Sequence, residues 1–168
     1  MNWTEYKEQL TRNAKEISSK EKLRFAIEIC DRLLPDYQSF VEKYKWGSIK
    51  TLEDGLTFCK DFSNEAEPEM VLIEKLIDGI EKNTPDTEDF GQIAGSLALN
   101  SACAVTETLK FIRDGKNERI VDIGTFSYDS EFFKVSDIKP GLTDSELENE
   151  TELQNEMEWQ LKRIKNVA

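Results

Sequence analysis

The chain has 168 residues, 34 of them acidic and 22 basic, for a formal net charge of −12. That balance disfavours nucleic acid and anionic membrane as partners, since both need a basic protein surface. Histidine is absent, which excludes a Ser-His-Asp triad, a Cys-His dyad and a His-ligated zinc site.

The elements read as helices in chain order. Residues 4–17 form a mostly polar first helix with Tyr6, Leu10 and Ile17 inward. Ser18 and Glu21 have the spacing of a capping box. The helix behind them carries Leu23, Ala26, Ile27, Cys30, Leu33 and Leu34 at i, i+3, i+4 spacing. Pro35 is expected to start a further helix, helped by Asp36 at its positive end. Tyr37, Phe40, Val41 and Tyr44 give that helix its stripe, and Trp46-Gly47 its stop. Residues 48–62 place Ile49, Leu52, Leu56 and Cys59 on one face. Pro68 opens the next helix, with Met70, Ile73, Ile77 and Ile80 in line, and Asn83-Thr84-Pro85-Asp86 breaks it.

Asp89 is placed to cap a long helix reaching Arg113, whose stripe runs Ala94, Leu97, Ala98, Ser101, Ala102, Val105, Leu109 and Ile112. Its small residues allow close neighbours, so it is expected at the centre. Residues 119–134 read two ways. Ile120, Val121, Ile123, Thr125, Phe126, Tyr128, Phe132 and Phe133 favour strands, with a hairpin turn at Asp129-Ser130. A lone hairpin in a helical protein is only marginally stable, which favours a helix instead. Thr143 with Glu146, and Thr151 with Gln154, have capping-box spacing before the last two helices. Leu153, Met157, Leu161 and Ile164 form the inner face of the final one. The expected architecture is all-α: one domain over 1–168, a bundle of about seven or eight helices.

Cys30, Cys59 and Cys103 are an odd number in apolar contexts, which reads as free thiols inside the core. No run approaches the roughly 18 apolar residues of a membrane span. Met1-Asn2-Trp3-Thr4-Glu5 lacks the basic and apolar character of a secretion signal, so a cytoplasmic location is expected. No phosphate-binding loop or Gly-x-Ser-x-Gly elbow occurs. Glu107 and Asp114 are general bases by residue type alone. No cofactor, metal site or catalytic activity is expected.

Two acidic stretches remain as candidate docking surfaces. One is the loop Asp86, Glu88, Asp89. The other is the run Asp144, Glu146, Glu148, Glu150, Glu152, Glu156 (continuing to Glu158), with no base inside it. Both also suit helix starts, where the dipole favours acids.

The pattern Phe25-Ala26, Cys30-x-Arg32-Leu33-x-Pro35-x-Tyr37-x-x-Phe40, then Trp46-Gly47 and the Leu52/Leu56 helix, resembles the YjaG-like family of uncharacterised bacterial proteins. The likeness continues through Pro85 and Asp89-Phe90, the 142–147 box, and Glu156 with Trp159. It implies an all-helical single domain and a helix over 120–134, and it supplies no catalytic residues. Small size, acidity and the lack of a catalytic constellation suit a stoichiometric binding protein. The concrete expectation is an immunity protein that neutralises a cognate, basic, nucleic-acid-attacking toxin. The alternative is a housekeeping helical protein, as a homodimer or a small-molecule binder. A carboxylate-based enzyme is a minor third reading.

Overall fold

The computed structural model describes residues 1–63 and 65–166. Eight helices occur in the order α1 (Trp3–Glu16), α2 (Ser19–Tyr44), α3 (Ile49–Asp61), α4 (Met70–Lys82), α5 (Ile93–Asp114), α6 (Asn117–Ile138), α7 (Asp144–Leu147) and α8 (Thr151–Lys165). Among the described residues there is no strand.

Three starts follow from short polar side chains. Asn2, Ser18 and Thr143 each accept a hydrogen bond from the backbone N–H three residues on, and the Glu5, Glu21 and Glu146 carboxylates each accept one from the backbone N–H of the cap residue. Thr151 differs from expectation: it is the first residue of α8, and Glu150 occupies the cap position without a side-chain bond. Asp89 likewise caps nothing, because α5 starts at Ile93 behind Gln92. Met70 opens α4 and is 49% exposed, so only Ile73, Ile77 and Ile80 of its stripe face inward.

Pro35 does not begin a helix. It lies inside α2, which runs unbroken from Ser19 to Tyr44. Proline there removes the N–H that the Asp31 carbonyl would use. Both residues are exposed. Continuing the helix keeps Cys30, Leu33, Tyr37 and Phe40 on one buried stripe. Each large apolar side chain so covered contributes about 1.5–3 kcal/mol.

Residues 119–134 are helical, within α6. Ile120, Ile123, Ser127, Ser130 and Val135 fall at three- to five-residue steps and are all buried. Packing on α5, α1 and α8 outweighs the local strand propensity. The central helix is α5, which packs against α2, α6, α4 and α3. Cys30 and Cys59 are buried as expected, but Cys103 is half-buried.

Pairs across the helices set their directions. Glu28 meets Arg163 and Arg32 meets Glu156, so α2 and α8 run antiparallel. Arg32 and Ser127 meet at Glu156 while Asp36 meets Lys134, so α2 and α6 run parallel. Asn100 meets Ser130 and Glu107 meets Arg119, so α5 opposes α6. Tyr6 meets Gln160 while Met1 meets Gln154, so α1 follows α8. One end of the bundle therefore collects the C-termini of α2, α4 and α6 with the N-termini of α1, α3, α5 and α8.

Candidate functional site

Both acidic stretches lie at that end. Tyr44 near the end of α2 donates from its hydroxyl to Gln92 Oε1 at 2.8 Å. Phe90 packs edge-on against Phe40 and Tyr44 and touches Trp46, which fixes the 83–92 loop. Tyr37 anchors the same corner: its hydroxyl donates to the Asn83 carbonyl at 2.6 Å and accepts from Ser48 N–H at 3.2 Å. Gly47, with φ +88°, makes this approach; a Cβ there would sit 2.6 Å from the Tyr37 oxygen. The helix itself ends two residues earlier, with Lys45 in the left-handed region at φ 53°.

Asp86, Glu88 and Asp89 are exposed. Asp86 Oδ1 accepts from the Glu88 N–H at 2.8 Å, a turn-stabilising bond that leaves its charge facing water. The second stretch is divided. Asp144 and Glu146 are exposed, although Glu146 also binds Thr143, which holds its carboxyl below the usual range. Glu148 is half-buried against the Trp3 N–H. Glu150 and Glu152 hold Lys139 between them.

Contrary to its expected docking role, Glu156 is not part of the surface. Its side chain is 3% exposed. Glu156 Oε1 accepts from Ser127 Oγ at 2.6 Å and from Gln160 Nε2 at 2.9 Å. Oε2 pairs with Arg32 at 2.8 Å, and the Arg32 guanidinium lies 3.6 Å from the centre of the Trp159 ring. Gln160 Oε1 accepts from the Tyr6 hydroxyl at 2.5 Å, and its Nε2 donates to the Gly124 carbonyl at 2.9 Å. Gly124 makes room for this: a Cβ there would lie 2.6 Å from Gln160 Oε1 and 2.7 Å from Leu10 Cδ2. Burial, then the Glu156 charge, hold the Tyr6 hydroxyl well above its usual pKa. The motif residues Arg32, Glu156 and Trp159 thus meet in one place, 124 residues apart in the case of Arg32 and Glu156. Only the four-residue spacing of Glu156 and Gln160 hints at it in the sequence.

The residues named as general bases are tied into ion pairs. Glu107 binds Lys110 at 3.0 Å and Arg119 at 2.6 Å, and Asp114 binds Arg119 at 2.6 Å. Arg119 keeps the Asp114 carboxyl low. Cys103 lines a groove of about 460 Å³ with Glu81, Asp86, Leu99, Glu107 and Phe126. Burial and the Glu107 charge raise its thiol, the opposite of what an attacking thiolate needs. Among the described residues, no group of three or more His, Cys, Asp or Glu is placed to hold a metal ion, and no helix is long and apolar enough to cross a membrane.

No curated protein matches the sequence. The fold is similar to a crystal structure of a DUF416 family protein from Shewanella baltica OS155. That likeness has a TM-score of 0.80 at 23% identity, over 94% of this chain and 83% of that one. The model of the same family, described as a protein of unknown function, matches residues 9–168, and the chain belongs to the DUF416 family.

Proposed function

We propose that this protein is a non-enzymatic, cytoplasmic binding protein whose partner is a basic protein, and concretely that it is an immunity protein which neutralises a toxin domain by covering its nucleic-acid-binding surface. The observation that carries the reading is the 86–89 loop. Its three carboxylates face solvent, and among the described residues none of them is in an ion pair, so their field is available to a partner. Asp144 at the same end adds to it. Of the cations at this end, Lys139 pairs with Glu150 and Lys50 with Asp54, Lys43 stands over the Tyr44 ring, and Lys45 and Lys82 are exposed without an ion pair among the described residues. A surface of this kind speeds encounter with a cationic partner and repels anionic ones. The finer likeness to the YjaG-like proteins is part of the same proposal and rests on the Arg32–Pro35–Tyr37 and Glu156–Trp159 motifs.

The test is growth rescue. A basic toxin domain encoded beside this gene is induced with and without this protein. Restored growth, together with a 1:1 complex that weakens as salt rises past about 0.15 M, is the expected result. A neighbourhood without such a toxin, or a toxin whose effect is unchanged by co-expression, overturns the proposal.

A further inference from the structure

The groove of about 460 Å³ that Cys103 lines is built from α4, α5, α6 and the 84–87 segment. Its apolar lining comes from Leu99 and Cys103, one turn apart on α5, with Pro85 and Phe126. Its charged lining is three acids against one base. Glu107 is engaged through both oxygens, one on Lys110 and one on Arg119. Lys110, the base, is thereby held by Glu107 at 3.0 Å. Glu81 and Asp86 are exposed, and among the described residues neither is in an ion pair. A buried polar group faces the same space. Thr106 lines the groove and is 7% exposed, and its hydroxyl has no hydrogen-bond partner among the described residues. Thr108 and Thr125 instead donate to the carbonyl four residues back, as helical threonines commonly do. A buried hydroxyl without a partner costs stability unless something in the groove supplies one.

We infer that this groove binds a linear aliphatic polyamine, its methylenes along Leu99, Cys103 and Phe126 and its ammonium groups at Glu81, Asp86 and the Thr106 hydroxyl. Ammonium groups only donate, and carboxylates and a hydroxyl oxygen are the acceptors that the groove offers them. An inorganic cation fits poorly. Glu81, Asp86, Cys103 and Glu107 all line the groove, yet among the described residues no three such groups converge on one ion. Acceptors spread along a groove match a chain with separated charges, not a point charge. Leu99, Cys103, Thr106 and Lys110 follow one face of α5 for about three turns, or about 16 Å. The volume is that of a site for a small organic ligand, and an anion would meet uncompensated carboxylates. The inference goes beyond the protein partner proposed above and does not need Glu88 or Asp89, which are outside the groove lining.

The experiment is a calorimetric titration of the intact protein with spermidine at about 0.15 M salt, where the diffuse field of an acidic surface is largely screened. Saturable binding of one spermidine per chain is expected. Glu81→Gln should weaken it at least about tenfold, because a charge-assisted bond is lost. Glu88→Gln removes the same charge from the neighbouring loop but not from the groove, and should change the affinity by less than about twofold. Thr106→Val keeps the side-chain shape and should weaken binding about threefold. It should leave the unfolding midpoint unchanged or higher, since the hydroxyl has no protein partner to lose. Magnesium at equal charge should not displace spermidine. Acetylated trilysine amide, with the same charge on a peptide, should bind more weakly. Equal losses at Glu81→Gln and Glu88→Gln, displacement by magnesium, or no saturable binding each overturn the site. Tighter binding of the trilysine overturns the polyamine and leaves the reading of a basic protein partner standing.

Discussion

Glu152 and Glu156 stand one helical turn apart on α8, on nearly the same face, and they meet opposite surroundings. Glu152 is exposed at the end of the bundle, with Lys139 at 3.7 Å. Glu156 is enclosed by α2 and α6, with Ser127, Gln160 and Arg32 around its oxygens. The same contrast separates the buried network from the 86–89 loop. In one region each carboxylate oxygen has a named donor; in the other the charge faces water. A run of acids in a sequence is therefore not yet a surface. Helical phase gives the face, but depth along the axis decides whether neighbouring helices cover it.

The largest expected effect comes from taking the cation away from the enclosed carboxylate. Arg32→Ala leaves Glu156 buried and charged without its counter-ion, and about 3 kcal/mol of stability should be lost. Glu156→Gln is the milder change. It leaves a neutral amide that can still bond Ser127, and Arg32, 41% exposed, turns to solvent; about 1–2 kcal/mol is expected. Arg32→Lys should recover only part of the loss, because lysine lacks the planar group that lies on Trp159. Urea midpoints of the three variants check the order. If Glu156→Gln costs as much as Arg32→Ala, the carboxylate is not the member that needs protection.

Next comes the close approach that the network requires. Gly124→Ala drives a methyl group toward Gln160 Oε1 and Leu10, whose atoms would lie 2.6 and 2.7 Å away. About 2 kcal/mol is expected from the forced shift of α6 against α1 and α8. A thermal melt that matches the unaltered protein would mean the helices have slack at this point.

Smaller again, and dependent on pH, is the Tyr6 hydroxyl. Its folded pKa is raised, so its contribution is fully present below the ordinary tyrosine value near 10 and is lost as pH rises beyond it. Tyr6→Phe should cost about 1 kcal/mol at neutral pH, by leaving Gln160 Oε1 short of a donor. It should also make the alkaline fall in stability shallower. Cys30 and Tyr128, both held at about 12, sustain the remaining fall. Unfolding midpoints between neutral pH and about pH 11 test the sign. A steeper fall in the variant contradicts it.

These outcomes bear on what the sequence can tell. The apolar periodicity of α3, α5 and α8 is legible because their buried residues recur at helical spacing, and the Ser18 and Thr143 boxes are legible because capping is local chemistry. Pro35 misleads because its cost is local while its compensation is not: the stripe through Tyr37 and Phe40 is worth more than one hydrogen bond. Phe126 to Phe133 mislead because β-branched and aromatic residues fit a strand until α5, α1 and α8 are present to be packed against. The Arg32–Glu156–Trp159 meeting joins residues on α2 and α8 far apart in the chain, and no local rule brings them together. The acidic loop is legible as a charge run, but the exposure of Ile138 is not, since it depends on where α6 ends relative to its neighbours.

The smallest effect on stability belongs to the loop, and it is the one that bears most on function. Glu88→Lys with Asp89→Lys removes two exposed charges that have no hydrogen-bond or ion-pair role among the described residues, while leaving Asp86 to hold its turn. The unfolding midpoint should stay within about 0.5 kcal/mol of the parent. Association with a basic partner should slow sharply at low salt and lose much of its salt dependence, because both come from the same long-range field. Dissociation should change less, since a rim charge is solvated on both sides of the interface. If the double reversal instead destabilises the fold as much as Glu156→Gln does, the loop carboxylates are internal supports like Glu156. The bundle end then has no charge to spare for a partner.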